Sequence, residues 1–209
     1  LKVNSSYGIL SEEVGEINKD NKENRWIIDP IDGTLNFLNG IPQFAISVAY
    51  EEKGEIISGI IFDPIKDEMF FAEKGSGAYL NNSRIRVSNK KKLKNSILVT
   101  GGPKFESKKR EGIFEEYIKM SDNVDAPIRK FGSAALDMAN VACGRFDGFW
   151  QWELNYWDIA AGIIILKEAG GYSELIGKNE KNSLKKNIIA TNSKIHQELQ
   201  QTLLKKNIE

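Results

Sequence analysis

The chain has 209 residues, with 29 Lys plus Arg balancing 29 Asp plus Glu and a formal net charge of zero. That balance excludes the basic excess of a general nucleic-acid or anionic-membrane binder, and the length suffices for a sizeable core. One cysteine, Cys143, rules out an intrachain disulfide, and no apolar run approaches the ~20 residues of a membrane span.

Residues 1–25 are polar and charged, with Ser11-Glu12-Glu13 ahead of Gly15. Trp26, Ile27 and Ile28 then form an apolar run that ends in Asp29. Pro30 is expected to stop the regular structure, and Asp32-Gly33-Thr34 to lead into a short helix. The pattern describes a buried strand delivering two carboxylates and a hydroxyl to its carboxyl end, where open α/β sheets place their ligands. Residues 44–50 alternate large and small side chains, and residues 55–62, 68–72 and 77–80 continue as strands around turns. Residues 97–100 read as a short buried strand. Residues 105–120 read as an exposed helix and 126–130 as a strand. Ser133 should cap a helix that runs to Cys143 and stops at Gly144. Residues 146–150 form a strand, 157–169 an apolar helix, 187–191 a strand, and Ser193 should cap a last amphipathic helix carrying Ile195, Leu199 and Leu203.

An antiparallel-rich first part (1–125) therefore precedes an alternating α/β part (126–209), the two closing on one another as one compact unit. The fold class expected is α+β, a layered sandwich. The aromatic residues Phe149, Trp150 and Trp152 are read as core, with a part in a homodimer interface as the alternative. The lysine clusters at 90–92, 108–110 and 205–206 are short and read as solvated.

Candidate chemistry concentrates on acids. Asp29 and Asp32 fit an Asp-Pro-x-Asp-Gly turn, in which the carboxylates bond nearby backbone, but two acids held together also call for a cation. Asp158 stands at the start of the apolar helix, where it can cap, face a cation, or do both. Glu12 and Glu13 are a further acidic point, open to reading as plain surface. Hard oxygen ligands select magnesium, calcium or manganese. The lone His196 reads as a surface residue and Cys143 as core, so no histidine-based triad is expected and a metal-activated water is the natural nucleophile.

Four segments in this order resemble the inositol monophosphatase family of the lithium-sensitive, metal-dependent phosphatases: Ser11-Glu12-Glu13, Asp29-Pro30-Ile31-Asp32-Gly33-Thr34-Leu35-Asn36-Phe37, Gly132-Ser133-Ala134 and Trp157-Asp158-Ile159-Ala160-Ala161-Gly162. The resemblance spans nearly the whole chain. It implies an αβαβα sandwich and two or three Mg2+ ions, with Mn2+ or Ca2+ able to take the site. It implies Glu12, Asp29, Asp32, Asp158 and the Ile31 carbonyl as metal ligands. One ion, on Glu12, Asp29 and Ile31, would activate water, and another, on Asp29, Asp32 and Asp158, would stabilise the leaving oxygen. Gly33 and Thr34 amides would hold phosphate and the Thr34 hydroxyl would orient the water. Glu12, Asp29, Asp32 and Thr34 are thus the implied catalytic set. Asp32, Gly33, Thr34, Gly132, Ser133, Ala134, Gln151 and Asp158 would line the substrate.

Gln151, seven residues before Asp158, stands where the family carries an acid that touches polyol hydroxyls. Glu153 could replace that acid only if the strand were out of register. The family also has helices ahead of the Glu-Glu segment, so the N-terminal part is expected to be missing from this sequence. The expected function is Mg-dependent hydrolysis of inositol 1-phosphate or a related small polyol phosphate. The alternatives are a fructose-1,6-bisphosphatase or nucleotide 3′-phosphatase of the same superfamily, or a non-enzymatic partner of the transcription and RNA-processing machinery. A cytoplasmic homodimer without membrane or nucleic-acid contacts is expected.

Overall fold

The computed structural model describes residues 7–18, 23–102, 110–177 and 185–204. Strands β1 (Gly8–Ser11), β2 (Gly15–Ile17), β3 (Asn24–Asp32), β4 (Ala45–Glu52), β5 (Glu55–Asp63), β6 (Glu68–Glu73), β7 (Gly77–Leu80) and β8 (Ser83–Arg84) make an eight-stranded sheet in the order β2-β1-β3-β4-β5-β6-β7-β8. From β3 onward it is an antiparallel meander, while β1 lies parallel to β3. Strands β9 (Leu98–Thr100), β10 (Gly148–Asn155), β11 (Tyr172–Leu175) and β12 (Lys185–Thr191) make a second sheet in the order β11-β12-β10-β9. The helices are α1 (Thr34–Leu38), α2 (Arg110–Ser121), α3 (Ala134–Ala142), α4 (Tyr156–Glu168) and α5 (His196–Leu204).

Helices α3 and α4 fill the space between the sheets. Ile27, Ile61 and Phe70 of the large sheet, Leu136 and Met138 of α3, Ile159 and Ile164 of α4, and Phe149 and Ile188 of the small sheet share one core. The next residue along each small-sheet strand, Trp150 or Ile189, turns to a second core with Met120 of α2 and Leu199 and Leu203 of α5. That is the two-residue alternation of a strand buried on both faces. Helix α4 is apolar all round because both of its sides are covered. It comes close to β5 at Gly59, where a Cβ would stand 2.7 Å from the Ile164 Cγ2. The described residues thus stack as sheet, helices, sheet, helices, four layers of the αβαβα order. On the outer face of the large sheet Ile46, Ile60 and Met69 are exposed.

Several local expectations change. Pro30 does not end its strand: β3 runs through it to Asp32. Asp29 pairs with Ser47 and Asp32 with Ala45, so β3 carries one residue more than β4 there. A proline lacking N–H is tolerated at such an irregularity. Residues 126–130 make only a single bridge, Val99 to Arg129; Pro127 removes a donor a full strand would need. The turn before α5 is capped by Asn192, whose Oδ1 accepts from Lys194 N and Ile195 N, while Ser193 adopts φ +70. His196 is buried, set between Thr191 Oγ1 and Glu174 Oε2 at 3.1 Å each and edge-on to Tyr172. The sequence hides this because β11, too short to show a pattern, supplies both Tyr172 and Glu174. The short pair β1 and β2 was equally unreadable. The helix expected over 105–120 starts at Arg110 among the described residues, and residues 103–109 lie outside them. Lys90, Lys91 and Lys92 are exposed; the clusters at 108–109 and 205–206 lie outside the described residues.

Candidate metal centre

Asp29, Asp32 and Asp158 come together at the point where β3 meets the start of α4. One carboxylate oxygen from each lies within 4.8 Å of the others, and all three residues are buried. The extra residue in β3 lets both of its aspartates contribute. Each carboxylate is oriented by the backbone around it. Asp29 Oδ1 accepts from Ile31 N at 3.0 Å. Asp32 Oδ2 accepts from Ser133 Oγ at 2.5 Å and Ala135 N at 2.8 Å, so it sits against the first turn of α3, where amides favour an anion. Asp158 Oδ2 accepts from Asn155 N at 2.7 Å and completes a capping box with that residue. Asp158 therefore serves the helix end and the acid cluster at once.

The electrostatics are those of a site built for a cation. Burial, then the charges of Asp32, Glu12 and Asp158, push the Asp29 carboxyl up to about 8, against a downward pull from the Ile31 amide. Burial raises Asp32 to about 6, with the Ser133, Ala135 and Ala134 hydrogen bonds opposing it and Glu12 adding to it. All the charges acting on Asp29 are acidic. A divalent ion among three carboxylate oxygens would reverse that penalty, and the all-oxygen set fits a hard cation.

Glu12 is exposed in the turn after β1, its amide donating to Ile28 O at 3.3 Å. It stands outside the three-carboxylate cluster, but its charge acts on Asp29 and Asp32. The Ile31 carbonyl accepts from Thr34 Oγ1 at 2.9 Å. Gly33 has φ +92, and a Cβ there would be 3.0 Å from Gln43 O and 3.2 Å from Gly132 O, so only glycine suits this crossing. Gly132 is exposed, while Ser133 and Ala134 are buried. The Ser133 hydroxyl is already engaged, donating to Asp32 and accepting from Leu136 N as the cap of α3. It therefore supports Asp32. Gln151, half-buried on β10, lies over Gly101: a Cβ at Gly101 would fall 2.1 Å from the Gln151 Cδ.

Two residues were passed over in the sequence. Asn36 donates from Nδ2 to Gln43 O and to Phe131 O, at 2.7 Å each, and so ties the Gly33 turn to the Gly132 loop. Its place inside the Asp-Gly-Thr-Leu-Asn run was the available signal. Asp137, in the first turn of α3, is fully enclosed, with no hydrogen-bond partner on either oxygen among the described residues. Burial, then the Asp32 charge, raises its pKa well above the ordinary carboxylate value.

Two stacked sheets around buried helices, with three convergent carboxylates at a strand-to-helix junction, define a layered α/β protein with a hard-cation site. A family model, "Inositol monophosphatase family", matches residues 2–209, and the chain belongs to that family. It is 47% identical to an inositol-1-monophosphatase of Rhizobium meliloti over 173 residues, 83% of this chain and 65% of that one. It is 39% identical to a Nus factor SuhB of Pseudomonas aeruginosa, covering 97% of this chain and 76% of that one. The crystal structure of the extragenic suppressor protein suhB of Bartonella henselae superposes with a TM-score of 0.89 at 44% identity, over 97% of this chain and 77% of that one. The chain thus spans just under two thirds of the length of the first of these relatives.

Proposed function

We propose that the protein is a magnesium-dependent phosphomonoesterase acting on inositol 1-phosphate or a similar small polyol phosphate. The observation that carries this is the buried triad of Asp29, Asp32 and Asp158. In this reading these three would hold the ions, with Glu12 and the Ile31 carbonyl as further ligands. Bound divalent cations would supply charge neutralisation on the phosphoryl group and a water acidic enough to attack near neutral pH.

The chain's own groups do the rest. Thr34, its hydroxyl already beside the Ile31 carbonyl, orients the attacking water. The Gly33 and Thr34 amides, where the turn opens α1, would face the phosphate. Gly132, Ala134 and Gln151 edge the alcohol. No side chain competes as nucleophile among the described residues: His196 is engaged with Thr191 and Glu174, and burial raises the Cys143 thiol. Lithium sensitivity, a homodimer and a cytoplasmic setting belong to the same proposal.

The test is phosphate release from inositol 1-phosphate, fructose 1,6-bisphosphate and a nucleotide 3′-phosphate, with and without magnesium. Asp158→Asn should lower the magnesium-dependent rate by at least ~100-fold, the scale of losing one charge-stabilising group. Full activity in that variant refutes the assignment. A second reading, a partner of the transcription machinery, is favoured by the similarity to a protein named as a Nus factor. Capture of host RNA polymerase factors by an Asp29→Asn variant as well as by the parent would support it.

A further inference from the structure

Tyr156 is the first residue of α4, two before Asp158. Its phenol donates to Glu51 Oε2 at 2.8 Å. Glu51, on β4, is 3% exposed, and its other oxygen accepts from Arg25 Nε of β3 at 2.7 Å. The Arg25 guanidinium also lies over the Tyr156 ring, 5.8 Å from its centroid. Arg25 and Glu51 are register partners across β3 and β4. One side chain of α4 is thus tied to two strands of the large sheet through a buried carboxylate with both oxygens engaged.

Both strands lead from this tie to the acid cluster. Arg25, Ile27 and Asp29 alternate along β3, so Arg25 shares a face with Asp29, ~13 Å further on. On β4 the same face carries Glu51, Ala49 and Ser47, all buried. Ser47 pairs with Asp29 in register, and its Oγ donates to the Trp157 carbonyl at 3.5 Å. Three consecutive residues that open α4 therefore meet β3 and β4: Tyr156 at Arg25 and Glu51, Trp157 at Ser47, and Asp158 at Asp29 and Asp32.

Helix α4 is apolar all round, and apolar packing is non-directional. It fixes the position of a helix along its axis less sharply than hydrogen bonds do. At the far end of α4, Glu168 accepts from Gly75 N at 2.9 Å and Gly77 N at 3.0 Å. At the near end Asp158 has to meet two aspartates that belong to another element, so its reach depends on where α4 begins. Magnesium demands near-ideal octahedral geometry at roughly 2.0–2.1 Å, whereas calcium accepts roughly 2.3–2.6 Å and a looser shell.

We propose that Tyr156 is a positioning residue: its bond to the Arg25–Glu51 pair sets the reach of Asp158 towards Asp29 and Asp32, and so favours magnesium over calcium in the cluster. This rests on the cation reading of the site. Tyr156 acts through Asp158 and has no contact with an ion or a substrate in this role.

The experiment titrates magnesium, and separately calcium, into the parent, Tyr156→Phe and Glu51→Gln by calorimetry, alongside thermal unfolding without metal. Tyr156→Phe keeps the ring beneath Arg25 and removes only the hydroxyl. Its Kd for magnesium should rise about tenfold, the lower end of what groups around the ligands contribute, with little change for calcium. Glu51→Gln keeps a hydrogen-bonding partner for the phenol but loses the charge that faces Arg25. It should melt at a lower temperature than the parent and keep the parent's affinity for magnesium. An unchanged magnesium affinity in Tyr156→Phe, equal losses for the two cations, or an affinity that follows the melting temperature across the variants overturns the assignment. A parent that binds neither cation overturns the cation reading itself, and the role of Tyr156 with it.

Discussion

Ser133 donates its hydroxyl proton to Asp32 Oδ2 at 2.5 Å, across 101 positions of sequence. The same oxygen atom of Ser133 caps α3 through Leu136 N. One small side chain thus joins the metal-site strand of the large sheet to the helix layer beneath the second sheet, and holds an acid that would otherwise be pushed away by its neighbours.

Ser133→Ala should therefore lose stability and metal affinity together. The cap alone is worth about 1 kcal/mol, and the buried Asp32 oxygen also loses a donor. Thermal unfolding with and without magnesium measures both. A variant that melts lower but gains as much from magnesium as the parent would confine Ser133 to capping.

The acid cluster sets a pH dependence. In the folded metal-free chain burial and the neighbouring acids push Asp29 up to about 8, and burial pushes Asp32 up to about 6, both above the ordinary value of 3.8. The folded state then holds protons that the unfolded chain releases. Stability is greatest below pH ~4 with respect to these groups and falls as pH rises through 6 and 8. Magnesium should cancel most of that fall, since it stabilises the ionised cluster. Urea unfolding at pH 5 and pH 8, in chelator and in magnesium, checks this: the stabilisation by magnesium should be larger at pH 8. Equal stabilisation at both values contradicts it.

Asp137 is an enclosed carboxyl without hydrogen-bond partners among the described residues. Keeping it protonated at neutral pH costs free energy relative to the unfolded chain, where it ionises freely. Asp137→Asn should raise stability at pH 8, because an amide carries no such protonation cost, with no gain below pH ~4. A gain independent of pH would point to packing instead.

Asn36→Ala should separate the Gly33 turn from the Gly132 loop, since two hydrogen bonds from one amide hold them. A loss of about 1–3 kcal/mol is expected from two such bonds, with a raised KM for the polyol phosphate. Steady-state kinetics and unfolding on the same preparation test it; an unchanged KM would make Asn36 purely structural.

The sequence made the acid cluster legible because its parts are local: an apolar strand ending in Asp29, a Gly-Thr turn, and an apolar helix opening on Asp158. The long strands β4, β5 and β6 and the buried helix α4 carry periodicity strong enough to read. What could not be read depends on pairing between distant segments. The bulge at Asp29 to Asp32 lets the strand pass through Pro30, and it exists only against β4. His196 looks like a surface residue on its own helix and is buried by a strand too short to announce itself. The bond from the Ser133 hydroxyl to Asp32 links positions 101 apart and shows only once the helix is laid beside the strand. The bulge at Glu153 likewise appears only when β10 is laid against β12.

Calorimetric titration of magnesium into the chain and into Asp29→Asn bears most directly on the cation-site claim. Saturable binding at pH 8 in the parent and its loss in the variant is the expected result. Absence of binding in the parent, or the same isotherm in both proteins, would contradict the account.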